Sequence, residues 1–283
     1  MFIYTCGAIS DRGDVRKENQ DSILFRLGEE KRQEAALFVV ADGMGGLSYG
    51  AQTSQYITGQ FGQWWETQLP LIVQDGMDRE EDIQELLEQE IWDINQAILA
   101  FNQQMNCRSG STLSLLFLYK NKYFIENLGD SRVYLVRNKT LCQITQDQSL
   151  AAQMIQKHHL SEEEAKRSVP KNKLTMCVGM FAVPKSNYYT GETCAGDCFL
   201  LCSDGFYQPL KTGQMKKVLE EAEFNAVEKA EYLRQFIETG KAADNVSAIV
   251  VEVKEGNRDE NKYFDFLGSS GRCLGSGHGS AYP

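Results

Sequence analysis

The apolar run Leu37-Phe38-Val39-Val40-Ala41 breaks into Asp42-Gly43-Met44-Gly45-Gly46, and this stretch constrains the chain more than any other. Short apolar runs rich in β-branched residues form buried strands. The glycines that follow predict an abrupt turn. Asp42 is then placed where a strand stops and a flexible backbone begins, a position suited to a carboxylate that faces a ligand. An ordinary strand-to-turn junction would use the same residue types, because Asp and Gly serve turns for local reasons. The pattern recurs, however: Cys198-Phe199-Leu200-Leu201-Cys202-Ser203 runs into Asp204-Gly205.

Before the first of these runs, Thr5 to Ser10 and Ile23-Leu24-Phe25 read as strands separated by the polar segment Asp11 to Ser22, which carries Arg16 and Asp21. A solvated hairpin loop has that composition too. Arg is nonetheless the side chain best shaped to hold phosphate through two parallel hydrogen bonds. After Asp42, the residues Ile57, Phe61 and Trp64 or Trp65 recur at helical spacing, and packing accounts for the tryptophan pair. From Asp78 a longer helix is predicted, with Ile83, Leu87, Ile91, Ile94, Ile98 and Phe101 on one face. Asp78 and Glu81 form a candidate capping pair.

From Ser109-Gly110-Ser111-Thr112 onward the pattern turns to β. Leu113 to Tyr119, Lys122 to Asn127, Ser131 to Arg137 and Thr140 to Thr145 predict an antiparallel meander with tight turns at Lys120-Asn121, Gly129-Asp130 and Asn138-Lys139. Asp130 is thus another carboxylate at a strand junction. Residues 146–167 are predicted helical in two pieces, with Ser161 and Glu164 as a capping box. Residues 169–184, with Pro170, Gly179 and Pro184, predict an irregular functional flap. Helices at about 213–222 and 225–239 precede Ala243-Asp244-Asn245 and a last strand, Val246 to Val253. Residues 1–254 are expected to form one domain. The Gly/Ser-rich residues 255–283 are expected to be a disordered tail, whose Cys273 and His278 carry no function.

Composition narrows the chemistry. A net charge of -10 argues against nucleic acid as a partner. No apolar run approaches the roughly 20 residues that span a bilayer. The first residues lack the basic-then-apolar order of a secretion signal, so a cytoplasmic location is expected. The eight cysteines are scattered, without a C-x-x-C pair. Cys6, Cys142 and Cys202 fall in strand-like apolar runs, where a thiol serves as a small hydrophobe. Cys194 and Cys198 are too loosely set, without partner histidines, to read as a zinc site. Only three histidines exist, His158, His159 and His278, and none is near a candidate site, which excludes a histidine-dependent nucleophile and an H-E-x-x-H metalloprotease.

Four aspartates, Asp21, Asp42, Asp204 and Asp244, adjoin strand ends, and Asp130 is a fifth. Oxygen ligands without His or Cys suit the hard divalent ions Mg2+ and Mn2+. Carboxylates that converge repel one another and need a cation. Two such ions about 3.5–4 Å apart can lower the pKa of a shared water for in-line attack on phosphorus.

The motifs, in their order and flanks, resemble the metal-dependent protein phosphatase family, the type 2C serine/threonine phosphatases, in its bacterial form. The matching stretches are Gly13-Asp14-Val15-Arg16 through Asn19-Gln20-Asp21-Ser22, Val40 to Gly46, and Ser109-Gly110-Ser111-Thr112. They continue with Asn127-Leu128-Gly129-Asp130-Ser131-Arg132-Val133-Tyr134, Leu201 to Gly205, and Ala243-Asp244-Asn245-Val246-Ser247. The resemblance implies an α+β, four-layer α-β-β-α sandwich of two antiparallel sheets flanked by helices. It implies that Asp42, Asp204, Asp244 and the Gly43 carbonyl ligate two central Mn2+ or Mg2+ ions, with Asp21 in the same shell. Asp130 matches a position that helps hold a third ion, and Arg16 matches the phosphate-binding arginine. The implied reaction is hydrolysis of phosphoserine or phosphothreonine in proteins by a hydroxide held between the metals. The implied partners are phosphorylated proteins made by an opposing Ser/Thr kinase, and a monomer is expected.

Four places depart from the family pattern. Met44 stands where animal members carry a histidine proposed as general acid, as it does in bacterial relatives. Gln148 replaces a common histidine, Met176 replaces the arginine of a Leu-Thr-Arg, and Ser168-Val169 replace the His-Pro that precedes it. The alternatives to a protein phosphatase are a catalytically inactive binding module that kept the fold, and a phosphatase of a small phosphorylated molecule.

Overall fold

The computed structural model describes residues 2–30, 33–45, 49–77, 79–169, 173–238 and 242–256. In chain order the strands are β1 Phe2–Asp11, β2 Asp21–Glu30, β3 Gln33–Gly45, β4 Ser109–Ser111, β5 Leu113–Tyr119, β6 Lys122–Leu128, β7 Arg132–Arg137, β8 Thr140–Gln143, β9 Asn187–Glu192, β10 Cys198–Cys202 and β11 Val246–Glu255. The helices are α1 Tyr49–Gln74, α2 Glu80–Gln104, α3 Leu150–His158, α4 Glu162–Ser168, α5 Asp204–Tyr207, α6 Thr212–Leu219 and α7 Ala226–Glu238.

Alternation along the central strands explains why these elements stack in layers. In β3, Leu37, Val39 and Ala41 face α1 and α2, while Ala36, Phe38 and Val40 face the other sheet. In β10, Cys198, Leu200 and Cys202 face α5, α6 and α7, while Phe199 and Leu201 face back toward β3. A strand buried on both faces reads as a continuous apolar run rather than an alternating one, and side chains of period two divide such a run between two cores. Three apolar cores therefore separate four layers, α-β-β-α. Trp64 and Trp65 are buried in the first core, which confirms their packing role.

Both sheets are antiparallel. One runs β1-β11-β10-β7-β8 and the other β2-β3-β5-β6-β9, with β4 paired to β3. The predicted meander is thus split: β5 and β6 lie in one sheet, β7 and β8 in the other. The Gly129-Asp130 turn crosses between them, which puts Asp130 at the rim of the inter-sheet seam. Alternation alone cannot show such a crossing, because each strand looks the same in either sheet.

Other differences have local causes. β3 does not stop at Asp42 but continues to Gly45, because Gly43, Met44 and Gly45 pair with Ser111, Gly110 and Ser109. Residues 146–149 are not helical; Ser149 caps α3 instead, accepting from the Ala152 amide at 3.2 Å. β9 and the single turn α5 lacked a periodic signal, being too short or too mixed. The Ser161–Glu164 capping box is present. Asp78 lies outside the described residues; Arg79 holds the α2 N-cap position with no side-chain cap, and Glu80, Glu81 and Asp82 favour the helix dipole there. Cys202 is buried as expected, but Cys142 is exposed, because among the described residues β8 is an edge strand paired with β7 alone. Residues 257–283, including Cys273 and His278, lie outside the described residues, as does Pro170.

Candidate active site

The seam between the sheets is apolar along most of its length and turns polar at one end. Continuing the inward face of β3 past Phe38 and Val40 brings Asp42. Continuing past Leu201 brings Ser203, and the same face of β11, before Ile249, begins at Ser247. Asp21 stands directly opposite Asp42 in the β2–β3 register. The Ser203 hydroxyl donates to Asp21 Oδ2 at 2.8 Å, and the Ser247 amide donates to Ser203 Oγ at 3.1 Å. Two strand ends from each sheet thus converge on one polar pocket wall.

The remaining acids arrive from turns. Asp204 opens α5, whose turn closes on the Ser203 carbonyl through the Phe206 and Tyr207 amides. Gln208 Nε2 donates to Asp204 Oδ2 at 3.0 Å. Gly205 is required by close approach: a Cβ there would sit 2.1 Å from the Asn245 carbonyl oxygen. Asp244 accepts from Arg16 Nη2 at 2.8 Å. Gly43 has the same constraint, with a Cβ falling 2.1 Å from the Gly50 carbonyl, and its amide donates to Gln20. Asp130 follows Gly129, whose amide and carbonyl both bond to Gln148. All seven residues predicted from sequence, Arg16, Asp21, Asp42, Gly43, Asp130, Asp204 and Asp244, are brought to this end of the seam.

The electrostatics record the crowding. Burial raises the Asp42 carboxyl well above the carboxylate range, and Asp21, Asp204, Asp130 and Asp244 raise it further. Burial likewise raises Asp21, against the hydroxyls of Ser247 and Ser203, and raises Asp204 with help from Asp244. Asp130 is pushed up to about 7 by burial, then by Asp204 and Asp147. The Arg16 guanidinium is held charged by its bond to Asp244, with Asp42 and Asp204 contributing.

These residues fit hard divalent ions. Asp21 Oδ1 is buried with no hydrogen-bond partner among the described residues, which leaves it open to an ion. Every converging donor is an oxygen. Among the described residues no group of three or more His, Cys, Asp or Glu is close enough together to hold an ion unaided.

Three supporting residues lacked a sequence signal of their own. Ser203 orients Asp21. Thr112 receives the Asp42 amide on its hydroxyl at 2.9 Å and returns its own amide to the Asp42 carbonyl. Asn245 accepts from the Gln20 amide at 2.9 Å and donates to the Arg12 and Glu18 carbonyls at 2.8 and 3.0 Å, so it shapes the loop that bears Arg16. Their presence inside the quoted motifs was the only available clue.

The described part of residues 169–184 is irregular, as predicted, but it is fastened. Val178 bridges Ser111 and Leu174 bridges Ser149. Asn95 takes the Gly179 amide at 2.8 Å and donates to Phe181, and Asn102 donates to the Gly179 carbonyl at 3.0 Å. That is the bonding of a fixed wall, not of a free flap. His158 and His159 are exposed at the end of α3.

Comparison with known proteins agrees with this geometry. Residues 14–240 match the family model described as Protein phosphatase 2C. A relative from Listeria welshimeri, the serine/threonine phosphatase stp, is 28% identical over 246 residues, covering 86% of this chain and 93% of that one. The serine/threonine phosphatase of S. agalactiae superposes with a TM-score of 0.78 at 25% identity, over 89% of this chain and all (100%) of that chain. The catalytic domain of the serine/threonine protein phosphatase PstP, solved in complex with two manganese ions, gives a TM-score of 0.73 at 27% identity, over 90% and 100% of the two chains.

Proposed function

The chain belongs to the protein phosphatase 2C family, and from that premise we propose how its acids and its arginine divide the work of hydrolysis. It is a serine/threonine protein phosphatase that depends on divalent metal and acts on phosphorylated proteins. The observation that carries the assignment of roles is the convergence of five carboxylates, one with an orphaned buried oxygen, at a single end of the inter-sheet seam.

In our reading Asp42, Asp204, Asp244 and the Gly43 carbonyl hold two ions, Asp21 orients the water side of the same shell, and Asp130 contributes to a third position. When bound, the ions supply an activated water and neutralise the charge of the phosphoryl group. The chain's own residues do the rest. Arg16, half exposed beside Asp244, is free to swing its fork onto two phosphate oxygens. The Ser203 and Ser247 hydroxyls oppose the rise that burial gives Asp21, and Thr112 fixes the backbone of Asp42. Met44 offers no proton, so the departing serine or threonine oxygen takes its proton from water or from another group of the site. Uncatalysed phosphate-monoester hydrolysis is among the slowest known reactions, so the electrostatic preorganisation of this pocket supplies most of the acceleration.

Of Mn2+ and Mg2+ we favour Mn2+, on the strength of the manganese-bound relative. We further propose that the substrates are made by a Ser/Thr kinase, that the enzyme works as a cytoplasmic monomer, and that residues 1–254 are its catalytic domain with 255–283 a tail apart from it. Among the described residues no helix is long and apolar enough to cross a membrane. Hydrolysis of a phosphothreonine peptide and of an aryl phosphate, with EDTA, Mg2+ or Mn2+, tests the assignment. Turnover of both only with metal is expected. A folded protein inactive with either metal would refute it.

A further inference from the structure

Arg132 lies on β7, two residues past Asp130, and each nitrogen of its guanidinium donates a hydrogen bond. Nε and Nη2 donate to the two carboxylate oxygens of Asp147 at 2.9 and 2.8 Å, and Nη1 donates to the Tyr134 hydroxyl at 2.9 Å. Its central carbon lies 3.8 Å from the ring centroid of Tyr207. Tyr207 is the last residue of α5, the single turn that begins with Asp204. On the other side, Asp147 takes a third bond from Gln143, and the next residue, Gln148, brackets Gly129: its amide donates to the Gly129 carbonyl at 2.8 Å and its side chain accepts from the Gly129 amide at 3.1 Å. One largely buried ion pair, its side chains 21% and 13% exposed, therefore stands between the turn that carries Asp130 and the turn that carries Asp204.

A buried ion pair is weak grounds for stability, since well-packed apolar side chains of similar volume often do as well or better. Its distinctive content is positional. The bidentate fork fixes the plane of the guanidinium, and the plane fixes Tyr207 against it. The phenol ring is thereby held over a cation, a contact of about 0.5–2 kcal/mol that Lys would satisfy without the same orientation.

We propose that Arg132, clamped by Asp147, is a positioning residue that sets the distance between the Asp204 and Asp130 turns and thereby the affinity of the site for divalent metal. Its side-chain partners are Asp147, Tyr134 and Tyr207, none of them a proposed metal ligand. This rests on the phosphatase reading for the identity of the ligands, though its test does not require turnover. Outer partners of metal ligands typically contribute 10–100-fold in affinity.

The test is Mn2+ titration calorimetry on the full chain as wild type, Arg132→Lys and Asp147→Asn, with metal-free melting temperatures recorded alongside. Mn2+ affinity is expected to fall about 10–100-fold in each single variant and no further in the double variant, because the two act as one unit. Raising Mn2+ should restore peptide turnover while peptide KM stays near wild type. Tyr207→Leu, which spares the ion pair, should also weaken Mn2+ binding, and it serves if the charge variants do not fold. Unchanged Mn2+ affinity in folded variants would overturn the proposal, as would a raised peptide KM with affinity intact. Aryl phosphate turnover by the wild type reports separately on the phosphatase reading, so the two can fail independently.

Discussion

Asp42 shows how one residue acquires a role from its neighbours. It continues an apolar inward face, so folding carries it into the seam; once there, Asp21, Asp204, Asp130 and Asp244 crowd it. The acids were legible in the sequence because each adjoins the end of a strand-like run, and Asp42, Asp130 and Asp204 also stand beside glycine. Ser203, Thr112 and Asn245 were not, because a hydrogen bond between distant segments leaves no period to detect. Arg16 sits half exposed at the edge of this group, bonded to Asp244. Arg16→Ala should raise the phosphopeptide KM by about 10–100-fold, the equivalent of a charged hydrogen bond of roughly 1.5–3 kcal/mol, while leaving Mn2+ affinity near wild type in a binding titration. Asn245 makes three bonds that shape the Arg16 loop. Asn245→Ala should destabilise the fold by about 1–3 kcal/mol in urea unfolding, because it strands buried backbone groups.

Among the elements, the central strands were the easiest to read and the crossings the hardest. β3, β5, β10 and β11 announce themselves by apolar runs, whereas nothing in the meander tells that β7 changes sheets. The contact between α5 and the Asp244-Asn245 turn depends on Gly205 lacking a side chain. Gly205→Ala should therefore separate the Asp204 and Asp244 segments and lower both stability and Mn2+ affinity, and retention of both would show that the contact is not needed. On β6, Glu126 is fully buried on the face toward α2, and neither carboxylate oxygen has a hydrogen-bond partner among the described residues. Burial pushes its carboxyl up to about 8, with the Glu88 charge adding to the rise. The unfolded chain would release that proton near pH 4.3. The folded state therefore binds the extra proton between about pH 4 and 8, and Glu126 costs stability progressively as pH rises through that window. Glu126→Gln should be more stable than wild type by about 1–3 kcal/mol at pH 8, with the gap narrowing toward pH 5. A gap independent of pH would mean that Glu126 is ionised in the fold.

At the scale of the whole molecule, two sheets pressed face to face leave one end of their seam polar, and there an acidic chain concentrates its carboxylates. The four-layer order followed from the family resemblance and from runs buried on both faces; which end of the seam would be polar followed only from the register of β2 against β3. Since the converging acids repel one another, metal should stabilise the folded state. At about 100 times its dissociation constant, Mn2+ should add about 2.7 kcal/mol and raise the melting temperature, and EDTA should reverse this.

The most direct measurement is the number of Mn2+ ions bound, with phosphothreonine-peptide turnover on the same samples, for wild type and Asp204→Ala. Wild type is expected to bind at least two ions and to turn over the peptide. The variant, still folded, should lose at least one ion and about 10^2–10^3-fold or more in turnover, the scale of losing one preorganised electrostatic group. An Asp204→Ala protein that bound the same number of ions and hydrolysed the peptide at the wild-type rate would contradict the placement of the metal centre at the polar end of the seam.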